Sequence, residues 1–173
     1  MKHMSIKAIA VIATLFSAGS GSAATLNADA GWTGFAFKGV GTSAYHSFSF
    51  TLVGQAALSV VDGFFAGDRF DVISNGVSQG MTSLPVAGAT NLASNWDAAF
   101  ANPNYSKGTF NFGPGSYTVS LLVTDRSPGT TDHLGAIRLD SIAAVVPVPA
   151  GGLLLISALG AAAALRKRRK QAS

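Results

Sequence analysis

The feature that most constrains this chain is a series of short runs in which apolar and polar residues alternate. Phe48-Ser49-Phe50-Thr51-Leu52, Phe70-Asp71-Val72 and Tyr117-Thr118-Val119-Ser120-Leu121 each put every second side chain on one face. A period of two belongs to a strand with one face buried and the other toward solvent. Further candidate strands lie at 32–37, 56–61, 77–82, 109–112 and 135–145. Asn75-Gly76 sits between two such runs, and both residues tolerate positive φ, so a hairpin is predicted there. Gly113-Pro114-Gly115 separates 109–112 from 116–125 and predicts a second one. One segment breaks the pattern. Leu92, Trp96 and Phe100 recur every four residues, with Ser94 or Asn95 available as a cap and Pro103 just beyond. This predicts a short helix near residues 93–101. Roughly seven or eight short strands between residues 25 and 145 predict an all-β fold, an antiparallel β-sandwich of jelly-roll or immunoglobulin-like type. The pattern does not choose between the two.

Charge and cysteine content remove several functional classes. The chain of 173 residues carries a formal charge of +4, which suggests an anionic partner until position is considered. Lys2 and Lys7 lie at the start, and Arg166, Lys167, Arg168, Arg169 and Lys170 near the end. Between them, five basic residues stand against all eight aspartates, a balance of −3, and glutamate is absent. A nucleic-acid partner needs a basic face on the folded domain, so none is expected. No cysteine is present, which excludes disulfides, thiolate metal sites and a cysteine nucleophile.

Both ends read as addresses. At the N-terminus, Lys2 and Lys7 precede an apolar stretch at 8–16, then small residues ending in Ser22-Ala23-Ala24. This is the layout of a Sec signal peptide over 1–24, cleaved after Ala24 or, one residue earlier, after Ala23. At the other end, 151–165 is a run of 15 apolar or small residues, shorter than the ~20 that span a bilayer comfortably. Pro147 and Pro149 disfavour helix before it. A transmembrane helix over 151–165 is predicted, with the basic tail 166–170 held on the cytoplasmic side as a stop-transfer signal. Residues 25–145 are left as the folded domain.

The order Val146-Pro147-Val148-Pro149-Ala150, a Gly-Gly-Leu-rich apolar stretch and a basic end resembles a PEP-CTERM sorting signal. It is most similar to the variant reading Val-Pro-Leu-Pro-Ala, with Val148 in the leucine place. The resemblance covers 146–173. It implies a Gram-negative source, processing by a membrane-embedded exosortase, and an association with exopolysaccharide. A permanent single-span anchor is the alternative reading of the same residues. The segment at 60–76 is similar to one in uncharacterised secreted PEP-CTERM proteins. There a Gly-Asp-x-Phe strand, here Gly67-Asp68-Arg69-Phe70, leads through Asn75-Gly76 to a Thr-Ser pair, here Thr82-Ser83. That resemblance implies a β domain and no particular activity.

Few residues offer chemistry. His46 and His133 are the histidines outside the leader; a Ser/His/Asp set could be assembled around His133 and Asp132, but no Gly-x-Ser-x-Gly elbow presents a nucleophile. Phosphate-loop and dinucleotide fingerprints are absent. No catalytic residue, cofactor or metal is therefore expected. Asp62, Asp68 and Asp71 fall close together and could hold a structural Ca²⁺, although Asp62-Gly63 and Gly67-Asp68 are also ordinary turn chemistry. Trp32, Tyr45, Trp96 and Tyr105 are candidates for a sugar-stacking surface or for core aromatics. The sequence thus predicts a non-enzymatic protein that passes the Sec translocon, resides transiently in the inner membrane, meets an exosortase, and reaches the cell surface or matrix. A carbohydrate-binding module, Ca²⁺-stabilised or not, is the alternative.

Overall fold

The computed structural model describes residues 22–86, 88, 91–128 and 133–143. The predicted signal core, the sorting motif 146–150, the apolar stretch 151–165 and the basic tail lie outside the described residues. So do Asp132 and the end of the run at 135–145. Among the described residues no helix is long and apolar enough to cross a membrane.

The strands are β1 (Ala23–Thr25), β2 (Thr33–Ala36), β3 (Ser47–Leu52), β4 (Ala56–Asp62), β5 (Arg69–Ser74), β6 (Val77–Met81), β7 (Lys107–Phe112), β8 (Gly115–Asp125) and β9 (Leu134–Ser141), with a helix α1 (Trp96–Ala101) between β6 and β7. They form two sheets, ordered β1-β3-β8-β5-β6 and β2-β9-β4-β7. The result is an all-β sandwich. Its pairing is nested: β2 with β9, β3 with β8, β4 with β7, and β5 with β6 innermost. The chain resembles one long hairpin rolled over so that successive segments fall on alternate sheets.

Alternation does what the sequence predicts. Along β5, Phe70, Val72 and Ser74 point inward while Arg69, Asp71 and Ile73 are half-buried. The inner faces meet in a core that includes Phe35, Phe37, Phe48, Phe70, Leu58 and Leu121. Phe70 packs edge-on to Phe35 at 5.3 Å and to Phe37 at 5.0 Å between centroids, a geometry favoured by the ring quadrupole.

The Asn75-Gly76 hairpin forms with φ of 48° and 81°, the paired positive values that match strand twist. Asn75 also clamps the turn to β8: its Oδ1 accepts from the Thr118 amide and its Nδ2 donates to the Ser116 carbonyl. Thr82 closes the far end of the same pair. Its hydroxyl accepts from the Phe70 amide, and Arg69 Nε donates to the Thr82 carbonyl. The Gly-Asp-x-Phe, Asn-Gly and Thr-Ser elements are thus successive fastenings of one hairpin.

Three expectations need correction. Gly113-Pro114-Gly115 reverses the chain but makes no hairpin, because β7 pairs with β4 while both edges of β8 are taken by β3 and β5. The turn carries the chain between sheets. The sandwich is not wholly antiparallel, since β1 pairs with β3 in parallel; the connection from β1 to β3 passes through the opposite sheet and is long enough to allow it. The helix starts later than residue 93 because Ala93 sits at φ 49°. Of the two expected caps it is Asn95 that serves, accepting from the Ala98 amide.

Helix α1 packs on the outer face of the second sheet. There Val61, Ala136, Ala66, Ala99 and Tyr105 form a smaller core, joined by Leu92, Trp96 and Phe100. This is why β4 is buried on both faces toward its end.

Candidate functional site

The three aspartates proposed for Ca²⁺ do not converge. Asp62 ends β4, and the loop that follows wraps around its carboxylate. Oδ1 accepts from the Gly63 amide at 2.8 Å, and Oδ2 from those of Gly67 and Asp68 at 3.0 Å each. Two glycines make the wrap possible. A Cβ on Gly63 would stand 2.2 Å from Trp96, and one on Gly67 2.5 Å from Ser127. Asp68 is also buried, its Oδ1 accepting from the Ser127 amide at 2.8 Å. Its Oδ2 faces His133 Nδ1 at 3.9 Å without a hydrogen bond. Asp71 lies elsewhere, on the outward face of β5, and accepts from Ser78 Oγ. Among the described residues no group of three or more His, Cys, Asp or Glu side chains is placed to hold a metal ion.

What the structure builds around Asp62 is a carboxylate held by backbone amides, the turn chemistry legible in Asp62-Gly63 and Gly67-Asp68. Burial drives its pKa up, and the nearby Asp68 charge adds to that. The three amides oppose both, and the balance lies at about 8. Burial also raises Asp68, against the Ser127 amide and the charges of His133 and Arg126. Two carboxylates so close and so dry retain a proton between them near neutral pH.

His133 rests on the Phe37 ring, with centroids 5.6 Å apart, and bonds to Arg126 through Nε2. Its neighbours are thus Asp68, Arg126 and Phe37, a contact set that spacing did not suggest. His46 is exposed just before β3.

The four candidate aromatics separate cleanly. Tyr105 is fully buried, its hydroxyl donating to the Phe64 carbonyl and accepting from the Leu92 amide. Trp96 belongs to the outer core beside Gly63. Trp32 donates from Nε1 to Asp97 and is covered by the Arg138 guanidinium, 4.5 Å from its ring. Tyr45 is 51% exposed.

Tyr45 borders an open recess of about 480 Å³ at one end of the sandwich, shared with Phe37, Lys38, Arg126, His133 and Leu134. It forms where the chain leaves β2 and β8 and enters β9. Backbone bonds fix its walls, from the Phe37 amide to the His133 carbonyl and from the Tyr45 amide to the Ala36 carbonyl. Sequence reasoning missed Lys38 and Arg126, which lie far apart along the chain. A second recess of similar volume, lined by Thr25, Ser49, Thr51, Ser116, Tyr117 and Thr118 among others, runs across β1, β3 and β8. Its lining carries no charged side chain.

No family model matches the chain, and no curated protein matches it. Among solved structures, it is similar to the pre-peptidase C-terminal domain of a collagenase from Bacillus anthracis. The identity is 13% and the TM-score 0.39, over 68% of this chain and 92% of that one.

Proposed function

We propose that this protein is an exported surface or matrix component with a non-enzymatic interaction role, sorted through its C-terminal signal and associated with exopolysaccharide. The observation that carries the proposal is the order of parts at residues 146–170: the Pro-bracketed motif, the apolar stretch and the basic cluster. In this reading 1–24 is removed on passage through the Sec translocon. The stretch 151–165 forms a transmembrane helix that holds the intermediate in the inner membrane. An exosortase then acts near the motif and releases the domain. Removal of the leader after Ala23 or Ala24 would trim only β1, a three-residue edge strand, and leave the four nested pairs intact. Those nested pairs favour the jelly-roll member of the two expected topologies, since a jelly roll is a long hairpin rolled into two sheets.

Carbohydrate binding is the second reading, and the exposed ring of Tyr45 beside an open recess is the observation that favours it. Aromatic faces stack on the C–H faces of sugars.

The tail decides the primary reading. In a host carrying exosortase, the released protein is expected to lack the segment from about Gly151 onward. Changing Pro147 and Pro149 together to Ala should block that cleavage and trap full-length protein in the inner membrane, because the extended strand before the helix is lost. Intact C-termini in every fraction, measured by mass, would leave a plain anchor.

A further inference from the structure

The two ends of the sandwich differ in charge. Arg69 and Lys107 open β5 and β7, Asp125 closes β8 with Arg126 next to it, and Lys38 follows β2. Register places them at one end: Arg69 pairs with Asp125, Val61 with Lys107, and Ala36 with Leu134. Buried Asp62 and Asp68 lie there too, in the short passage from β4 to β5.

The opposite end is made by the loop 26–32, the β3–β4 turn at 53–55, the β7–β8 turn at 113–114 and residues 141–143 at the close of β9. Leu52 pairs with Gly115, Ala56 with both Phe112 and Ser141, and the Ile142 amide donates to the Gln55 carbonyl. These four segments hold one charged residue, Asp29, whose carboxylate accepts from the Ser141 amide. Asp140, one step inside, is paired with Arg138. Apolar groups occupy the tips. Val53 is 100% exposed, in a turn where Gly, Asn, Asp or Ser would be usual. Ile142 beside it is 38% exposed, and Pro114 and Ala143 are exposed as well.

The place where the chain leaves the domain indicates what this end meets. Ile142 is fastened to the β3–β4 turn, and eight residues, 143–150, separate it from the apolar stretch at 151–165. An extended chain spans at most about 3.6 Å per residue, so this tether reaches no more than about 30 Å. The 11-residue β8 alone runs about 36 Å from end to end. A tether shorter than the domain cannot carry the charged end round to a bilayer. No residue from Ser141 to Leu165 is charged.

We propose that in the membrane-held intermediate the uncharged end of the sandwich rests on the bilayer, with Val53 and Ile142 entering the boundary between headgroups and acyl chains. The partner is a phospholipid surface met through apolar side chains, so the contact does not depend on anionic lipid. The proposal rests on the reading of 151–165 as a membrane-spanning helix and adds an orientation to it. The charged end, with the recess beside Tyr45, points away from the membrane.

The chain lacks cysteine, so each introduced thiol is unique. Leader-processed protein from a host without exosortase is labelled with a polarity-sensitive fluorophore at Val53→Cys, Lys38→Cys or Ser157→Cys. It is then placed in phosphatidylcholine vesicles and quenched by nitroxide-bearing lipid. Positions 53 and 38 are both exposed, and Ser157 lies within the apolar stretch. The label at 157 should be quenched, and that at 53 at least about threefold more than that at 38. Adding phosphatidylglycerol should leave this ratio little changed. Val53→Asp should keep the melting temperature and cut quenching of a label at Pro114→Cys by about half or more. Quenching at 157 with equal quenching, or none, at 53 and 38 overturns the orientation and leaves the anchor standing. No quenching at 157 removes the anchor and this inference with it. Shielding of the 53 label that follows protein concentration instead of quencher lipid assigns the uncharged end to a second copy of the chain, and overturns the bilayer contact.

Discussion

Two buried regions lie within a few residues of each other along β4 and β5, and they are stabilised in opposite ways. The space between the sheets is filled by Phe35, Phe37, Phe48, Phe70, Leu58 and their neighbours, and its strength is removal of apolar area from water. Just beyond the ends of those strands, Asp62, Asp68 and His133 are packed into a region nearly as dry. There burial is a cost, offset by amides of the 63–68 loop and of Ser127. The buried side chains of the apolar region do not titrate, so it responds little to pH near neutrality. The polar one is a titratable joint that holds the end of β4, the start of β5 and the entry to β9 together. Stability of this fold is therefore local in its chemistry even where the packing is continuous.

The largest effect is expected from the apolar side. Phe70→Ala removes a fully buried ring that touches Phe35 and Phe37 on the facing sheet. A loss of about 3–5 kcal/mol is expected in urea unfolding, with little change in the slope. A loss below about 1 kcal/mol would mean that the two sheets are not held by this cluster.

The polar side should show itself through pH. Asp62 has a folded pKa of about 8 against 3.8 for its ordinary value, so the folded state binds the extra proton. Its contribution is complete below about pH 4, declines as pH rises, and is gone above about pH 8. The melting temperature should therefore fall across that window, by an amount on the order of a few kcal/mol in stability. Asp29 acts in the other direction at the acid end, its pKa lowered by the Ser141 amide. Asp68→Asn removes the like-charge neighbour and keeps an acceptor for the Ser127 amide, so the fall should flatten. A profile of unchanged slope in that variant would show that the two carboxylates are not coupled.

The smallest effect belongs to the outer core. Asn95→Ala removes the side chain that accepts from the Ala98 amide, and should cost about 1 kcal/mol. Loss of helix α1 alone, seen as faster amide exchange over 96–101 with the sandwich intact, would show that the outer core opens separately from the inter-sheet one.

Much of the sandwich was legible because it is written locally. The alternation in β3, β5 and β8 depends only on neighbours two residues apart, and the Asn75-Gly76 turn on the φ preferences of two residues. The Leu92, Trp96 and Phe100 spacing found the helix, while the left-handed Ala93 moved its start. Where local signals ran out, expectation failed. A Gly-Pro-Gly reversal says that the chain turns, not which sheet receives it, and β7 and β8 went to different ones.

The candidate sites divide in the same way. The sequence by itself determined that Asp62 and Asp68 sit beside glycines able to bend a loop around them, that cysteine chemistry is excluded, and that basic charge gathers at the chain ends. Only the tertiary structure decided that Asp71 faces outward, that His133 lies over Asp68, and that Lys38, Tyr45 and Arg126 border one recess. Lys38 and Arg126 stand at the ends of strands in different sheets, so no spacing along the chain encodes their approach. Their meeting follows from the nested pairing, which folds distant strand ends onto the same edge of the sandwich. The physical reason is range: backbone preference and alternation act within a few residues, whereas register and sheet order are set by burying all the strands at once.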